Sequence, residues 1–234
     1  MPRTSPEDML SFEEMVEVVA AGIELGLTRI RFTGGEPLVR PGLESLVGMV
    51  SGLAGLSDVA LSTNGILLAH QIAGLAAAGL RRVNVSLDTM SPLRYRELTC
   101  GGELASVLEG IEAALAAGLT PVKLNCVVSS SCLEPDAQEV AAFARDRGLA
   151  VRFIHRMDAA TGSFSVVQGG EGGDCPRCSR LRLSCEGLVR PCLFSDLGFS
   201  VRELGARAAL VRAVEQKPAA GGPCSENWIR AVGG

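Results

Sequence analysis

Between residues 29 and 155 the chain switches repeatedly between short aliphatic stretches and longer amphipathic ones, with a repeat of about thirty residues. Five strand–helix alternations of this kind specify βαβ units around a parallel sheet. Strands are expected at Arg29–Phe32, Asp58–Thr63, Arg82–Asp88, Pro121–Val128 and Val151–Ile154. Helices are expected from Ser11 to Gly26 and over Gly42–Leu53, Leu67–Ala78, Leu104–Ala117 and Asp136–Arg147. Ser11 and Glu14 form a capping-box signature ahead of an apolar face at Met15, Val16, Val19 and Ile23. Crossovers between parallel strands are right-handed, so such a chain either curls into a barrel or fans into a doubly wound sheet. Five units are too few to close an eight-stranded barrel. The expected fold class is α/β, an open, partial parallel β/α barrel.

The first strand runs directly into Thr33-Gly34-Gly35-Glu36-Pro37-Leu38. Two glycines leave the main chain bare for a ligand, and Pro37 stiffens the exit. Two readings of Glu36 stand side by side: a carboxylate placed to receive a ligand's ammonium group, or a cap for the following turn. Further polar residues gather at the other strand ends: Ser62, Thr63 and Asn64, then Ser86 and Asp88. Lys123 lies inside a strand, and Met157 lies just past the last one. In barrel-type folds the C-terminal edge of the strands carries the chemistry.

A net charge of −4 argues against a general nucleic-acid binder. No stretch approaches the apolar run of about eighteen residues that spans a membrane, and residues 1–8 do not read as a signal peptide. The expected location is cytoplasmic, with the eight cysteines reduced unless they hold metal. Residues 158–174 are Gly-rich and linker-like, which divides the chain into 1–157, a short linker, and a region of 175–234. In the last, Cys175-Pro-Arg-Cys178 is followed by Cys192, a spacing typical of a metal or iron–sulfur site. Zinc would need a fourth ligand, which Cys185 could supply; an iron–sulfur cluster on three cysteines would leave one iron open. Arg180 and Arg182 fall on one face of an expected hairpin, either as a polyphosphate clamp or as solvated surface charges. A helix is expected over Ser200–Glu215. Cys126 reads as core, Cys185 as a bystander, and Cys100, Cys132 and Cys224 receive no role.

Taken in order, Thr33–Leu38, Leu61–Gly65, Asn84–Asp88, Arg152–Ile154, the three cysteines with Arg180–Leu183, Pro191–Phe194 and the terminal Gly233-Gly234 resemble the GTP 3′,8-cyclases of molybdenum cofactor biosynthesis, which are radical S-adenosylmethionine enzymes. The resemblance implies a lyase of that type that converts GTP to (8S)-3′,8-cyclo-7,8-dihydroguanosine 5′-triphosphate for a downstream cyclic pyranopterin-forming enzyme. It implies that Gly35, Glu36, Ser86 and Met157 bind S-adenosylmethionine. GTP would be held by Arg31, Ser62, Lys123, Arg180 and Arg182, with Gly233 and Gly234 reaching back into the barrel. Cys175, Cys178 and Cys192 would hold a second [4Fe-4S] cluster, and homodimerisation is left open. The three closely spaced cysteines of the family's first [4Fe-4S] cluster are absent from this sequence. The resemblance therefore implies that Met1 is an internal methionine, and that these cysteines and the first strand lie upstream. The short linker, and His155 in place of an acidic residue, leave two alternatives: a radical enzyme with another substrate, or a non-catalytic module that binds nucleotide and cluster.

Overall fold

The computed structural model describes residues 7–158 and 160–224. Gly233, Gly234 and Met1 lie outside the described residues. Helix α1 spans Phe12–Glu24. Its capping box forms as the sequence requires: Glu14 N donates to Ser11 Oγ (3.1 Å) and Ser11 N to Glu14 Oε2 (2.7 Å). Strands β1 (Arg29–Phe32), β2 (Asp58–Thr63), β3 (Arg82–Ser86), β4 (Val122–Val128) and β5 (Ala150–His155) then make one sheet in sequential order, every pair parallel. Helices α2 (Leu43–Ser51), α3 (Leu68–Ala77), α4 (Pro92–Leu98), α5 (Leu104–Ala116) and α6 (Pro135–Asp146) supply the connections. A sheet that never reverses its order has no topological switch point, which separates it from the doubly wound alternative and matches an open barrel.

One face of the sheet is apolar. Ile30, Phe32, Val59, Leu61, Val83, Val85, Val122, Leu124, Cys126 and Val128 join side chains of α2, α3, α5 and α6 in the main core. Helices α3 and α5 approach closely because Gly110 has no side chain: a Cβ there would lie 2.7 Å from Gly65 O and 2.9 Å from Leu68 Cβ. Helix α4, which the periodicity reading passes over, begins with Ser91 as cap and Pro92 at the first helical position.

Three expectations in the C-terminal half change. The hairpin of β6 (Arg182–Leu183) and β7 (Leu188–Arg190) gains a third antiparallel strand, β8 (Phe199–Ser200). The helix expected over 200–215 is two helices, α7 (Val201–Leu204) and α8 (Ala206–Glu215), because Gly205 takes φ +80° and ψ 151° between them. The segment expected to be a linker folds back on β5: Phe153 and Gln168 exchange backbone hydrogen bonds of 3.0 and 3.1 Å, and Asp158 and Ser163 do the same at 2.9 Å. This covers what would otherwise be an open sheet edge.

A second, smaller core joins Leu10 and Val18 to Val189, Val201, Ala209, Leu210 and Ala213. The segment before α1 is thereby held by the C-terminal region. Leu10 N donates to Cys185 O (2.7 Å), and Arg202 donates to Asp8 O, Met9 O and the Glu14 carboxylate.

Candidate functional site

A parallel sheet covered on both faces reads as continuous hydrophobic sequence. Here the strands alternate, so the face turned away from the helices is polar. It carries Arg31 on β1, Ala60 and Ser62 on β2, Arg82, Asn84 and Ser86 on β3, Lys123 and Asn125 on β4, and Arg152 on β5. The register sets these residues in rows. Arg31, Ala60 and Arg82 form one, Ser62, Asn84 and Lys123 a second, and Ser86, Asn125 and Arg152 a third.

Asn84, 1 % exposed, organises the middle of this face. Its Nδ2 donates to Ser62 Oγ (3.2 Å) and Leu61 O (3.3 Å), and its Oδ1 accepts from Arg152 Nη1 (3.3 Å). Arg82 is neutralised by Asp58, both of whose carboxylate oxygens accept from Nε at 2.7–2.8 Å. The side chains of Arg31, Lys123, Arg180 and Arg182 have no such ion pair among the described residues. Burial and repulsion show in the chemistry of Arg31, Lys123 and Arg182. Arg31 keeps accessible surface, yet protein crowds it from several sides; loss of water, with Arg152, Arg180 and Arg82 nearby, pulls its pKa down to about 10. Burial first, then neighbouring arginines, lowers Lys123, Arg152 and Arg182 as well, and Glu171 partly offsets this at Lys123 and Arg152. Unpaired cations crowded in this way destabilise a protein unless a polyanion joins them.

Two buried polar atoms on this face lack a partner: Arg152 Nε and Asn125 Oδ1. The returning 158–174 segment passes directly over the arginine, and a Cβ at Gly170 would lie 3.0 Å from Arg152 Nε. Arg152 was not singled out by the sequence as a site residue, although its place as the one charged residue within an aliphatic strand was the available signal.

At the C-terminal edge, Glu36 caps the turn Pro37–Val39, as the plainer reading expects. Its carboxylate accepts from Leu38 N (3.1 Å), Thr63 Oγ1 (2.7 Å) and Asn64 N (2.7 Å), tying the end of β1 to the end of β2. A carboxylate offers about four lone-pair directions, so one remains. Gly35 and Ser86 are exposed at this edge, Gly35 just beyond β1 and Ser86 at the end of β3. Met157 instead packs against Leu193, Phe194 and Cys224.

The cysteine segment reaches the same polar face through its arginines. Arg182 lies within electrostatic range of Arg180, Cys192 and Cys178, and Arg180 within range of Arg31 and Arg152; a Cβ at Gly172 of the returning segment would lie 3.6 Å from Arg180 Nη1. Cys175 and Cys178 sit on one tight turn (Cys178 N to Cys175 O, 3.1 Å), and Phe194 N donates to Cys192 Sγ (3.4 Å). Among the described residues no three Cys, His, Asp or Glu side chains are drawn together tightly enough to hold a metal ion. Lys217, unremarked in the sequence, donates to Arg180 O (2.7 Å) and Pro191 O, so it holds the arginine and cysteine loops side by side.

Residues 2–131 match the radical SAM superfamily. The chain is 36 % identical to the GTP 3′,8-cyclase of Moorella thermoacetica over 272 aligned positions, covering 94 % of this chain and 84 % of the relative. It is 38 % identical to the GTP 3′,8-cyclase of Pelotomaculum thermopropionicum over 266 positions, covering 90 % and 82 %. Among solved structures, hexahistidine-tagged anSMEcpe with bound AdoMet superposes with a TM-score of 0.64 at 16 % identity, covering 90 % of this chain and 72 % of that one. Native anSMEcpe with bound AdoMet gives 0.62 at 14 %, covering 96 % and 79 %. Those likenesses speak to the fold, and the alternating polar sheet face is what the fold presents. By sequence across nearly its whole length, the chain belongs to the GTP 3′,8-cyclase family of the radical SAM superfamily.

Proposed function

We propose that the chain serves a radical S-adenosylmethionine lyase reaction of the GTP 3′,8-cyclase type, in which GTP goes to (8S)-3′,8-cyclo-7,8-dihydroguanosine 5′-triphosphate in molybdenum cofactor biosynthesis, and that the residues present supply the nucleotide site for it. The observation that carries this reading is the group of cations on the polar sheet face and beside it that have no ion pair among the described residues. A triphosphate supplies the missing negative charge, and Arg31, Lys123, Arg152, Arg180 and Arg182 are its contacts. Arg forks match phosphate oxygens in pairs, while Lys123 acts as a point charge. Ser62, held by Asn84, is left to orient the ribose or an adjoining phosphate.

S-Adenosylmethionine fits the C-terminal edge. The unpaired Asn125 Oδ1 is an acceptor on the residue paired in register with the exposed Ser86, a pair suited to ribose hydroxyls. The bare backbone at Gly34-Gly35 and the remaining lone-pair direction of Glu36 suit the methionine end. Thiolate is the right donor type for an iron–sulfur cluster, and Cys175, Cys178 and Cys192 would hold the second one. When bound, a [4Fe-4S] cluster with S-adenosylmethionine supplies the hydrogen-abstracting chemistry of such enzymes. This sequence contains no Cys-x3-Cys-x2-Cys set, so its residues do not fit the first cluster and no radical step is assigned to them. Their part is to bind, orient and desolvate the nucleotide. The product would pass to an enzyme that forms cyclic pyranopterin.

Isothermal titration of the full chain with GTP, GDP and guanosine tests this reading. Affinity should fall in that order, because the phosphates make the contacts. Guanosine binding as tightly as GTP would overturn it.

A further inference from the structure

A buried side-chain amide is held one way round when its partners can each play only one role. Asn84 is 1 % exposed, and two of its partners are of that kind. Arg152 Nη1, 3.3 Å from Asn84 Oδ1, can only donate, and Leu61 O, 3.3 Å from Asn84 Nδ2, can only accept. Turning the amide over would set donor against donor and acceptor against acceptor in a site closed to water.

The third partner inherits that direction. Asn84 Nδ2 has two hydrogens; one goes to Leu61 O and the other to Ser62 Oγ at 3.2 Å. Ser62 Oγ therefore accepts from Asn84, and its own hydrogen must turn elsewhere. No acceptor meets it among the described residues, and Ser62 is partly exposed on the polar face, in the register row that continues through Asn84 to Lys123. The Lys123 ammonium and the Arg152 guanidinium can only donate, and Arg152 Nε is buried without a partner. A hydroxyl that could have served in either sense thus becomes a third donor beside two cations. Oxygen acceptors, such as those of a phosphate, fit a group of this kind.

We propose that Asn84 is a positioning residue, which commits Ser62 to donate its hydroxyl hydrogen to the bound nucleotide and holds Arg152 beside it as a second donor. The inference rests on the reading of this face as the nucleotide site. Asn84 acts only through Ser62 and Arg152. An aspartate in its place keeps the shape and still accepts from Arg152, but when ionised it has no hydrogen to give. Ser62 then turns its hydrogen inward to the carboxylate and offers the nucleotide a lone pair.

Titration calorimetry of the full chain with GTP tests this as a double-mutant cycle. Ser62→Ala should weaken GTP binding roughly 10-fold, the loss of one donor to a charged acceptor, and Ser62→Thr should restore affinity to within about 3-fold of the parent. Asn84→Asp should weaken binding as well, and in that background Ser62→Ala should cost less than about 2-fold. A Ser62→Ala cost that is the same in the parent and in the Asn84→Asp background would leave Asn84 a structural residue and overturn the proposal. A neutron structure of the deuterated parent with GTP gives the answer independently of whether any variant folds. The Ser62 deuterium should point at the nucleotide; one pointing at Asn84 overturns the proposal. Guanosine binding the parent as tightly as GTP would instead remove the nucleotide reading beneath it, so the two failures are separable.

Discussion

Lys123 shows the conflict between stability and the proposed nucleotide binding on the polar sheet face. Burial and the neighbouring arginines make its charge unfavourable until an anion arrives. Lys123→Met should therefore raise the melting temperature of the ligand-free protein while weakening GTP binding by roughly 10–100-fold, the loss of one charge-assisted contact. Calorimetry on the same two samples reads both effects. Asp88 is the acidic counterpart. Burial chiefly, and Asp136 in addition, push its pKa up, against a 2.7 Å hydrogen bond from Val127 N. Its folded value lies above the ordinary 3.8 of an unfolded chain, so the folded state holds this proton more tightly. The group's contribution is most favourable below 3.8 and declines as pH rises through the elevated folded value. Asp88→Asn, which keeps the acceptor for Val127, should melt higher at neutral pH and lose this acid-side dependence in a melting series. Single residues of this face were legible where alternation marks them, as for Arg31 and Lys123. The unpaired Arg152 Nε and the three donors on Glu36 were not, because both depend on which strand ends the fold brings together.

At the level of elements, strands and amphipathic helices could be read because each carries its period locally. The Ser11/Glu14 capping box is complete within four residues and forms as written. Failures arose where a local signal was overridden or faint. Apolar spacing continues from Val201 through Val214, yet one backbone conformation at Gly205 divides the helix. Strand β8 is two residues long and exists only by pairing with β7. Residues 158–174 look like a spacer by composition, but their glycines let the chain lie close over Arg152 and the β5 edge. Gly205 gives a clean test, since a Cβ there would meet nothing within 4 Å. Gly205→Ala should cost about 1–3 kcal/mol in urea unfolding from backbone strain alone. A neutral or stabilising result would mean that α7 and α8 join into one helix when alanine is present.

Over the whole molecule, the segment leading into α1 meets the C-terminal helices. Arg202 holds the backbone at Asp8 and Met9 and the Glu14 carboxylate, and Leu10 sits in the C-terminal core. Because the Arg202 and Glu14 side chains are about two-fifths exposed, their pairing adds little to global stability. Arg202→Ala should leave the urea midpoint of unfolding close to that of the parent. It should still speed amide exchange selectively in residues 8–15, measured by mass spectrometry. The sheet's apolar face lies against the helices in a separate core, and its polar face, with Arg180 and Arg182 of the cysteine loop nearby, is the proposed site for a nucleotide triphosphate. The most direct measurement is a crystal structure of the full chain with GTP. The account predicts triphosphate density among Arg31, Lys123, Arg152 and Arg180 on the inner face of β1–β5. Density on the outer, helical side of the sheet, with this face empty at saturating GTP, would contradict it.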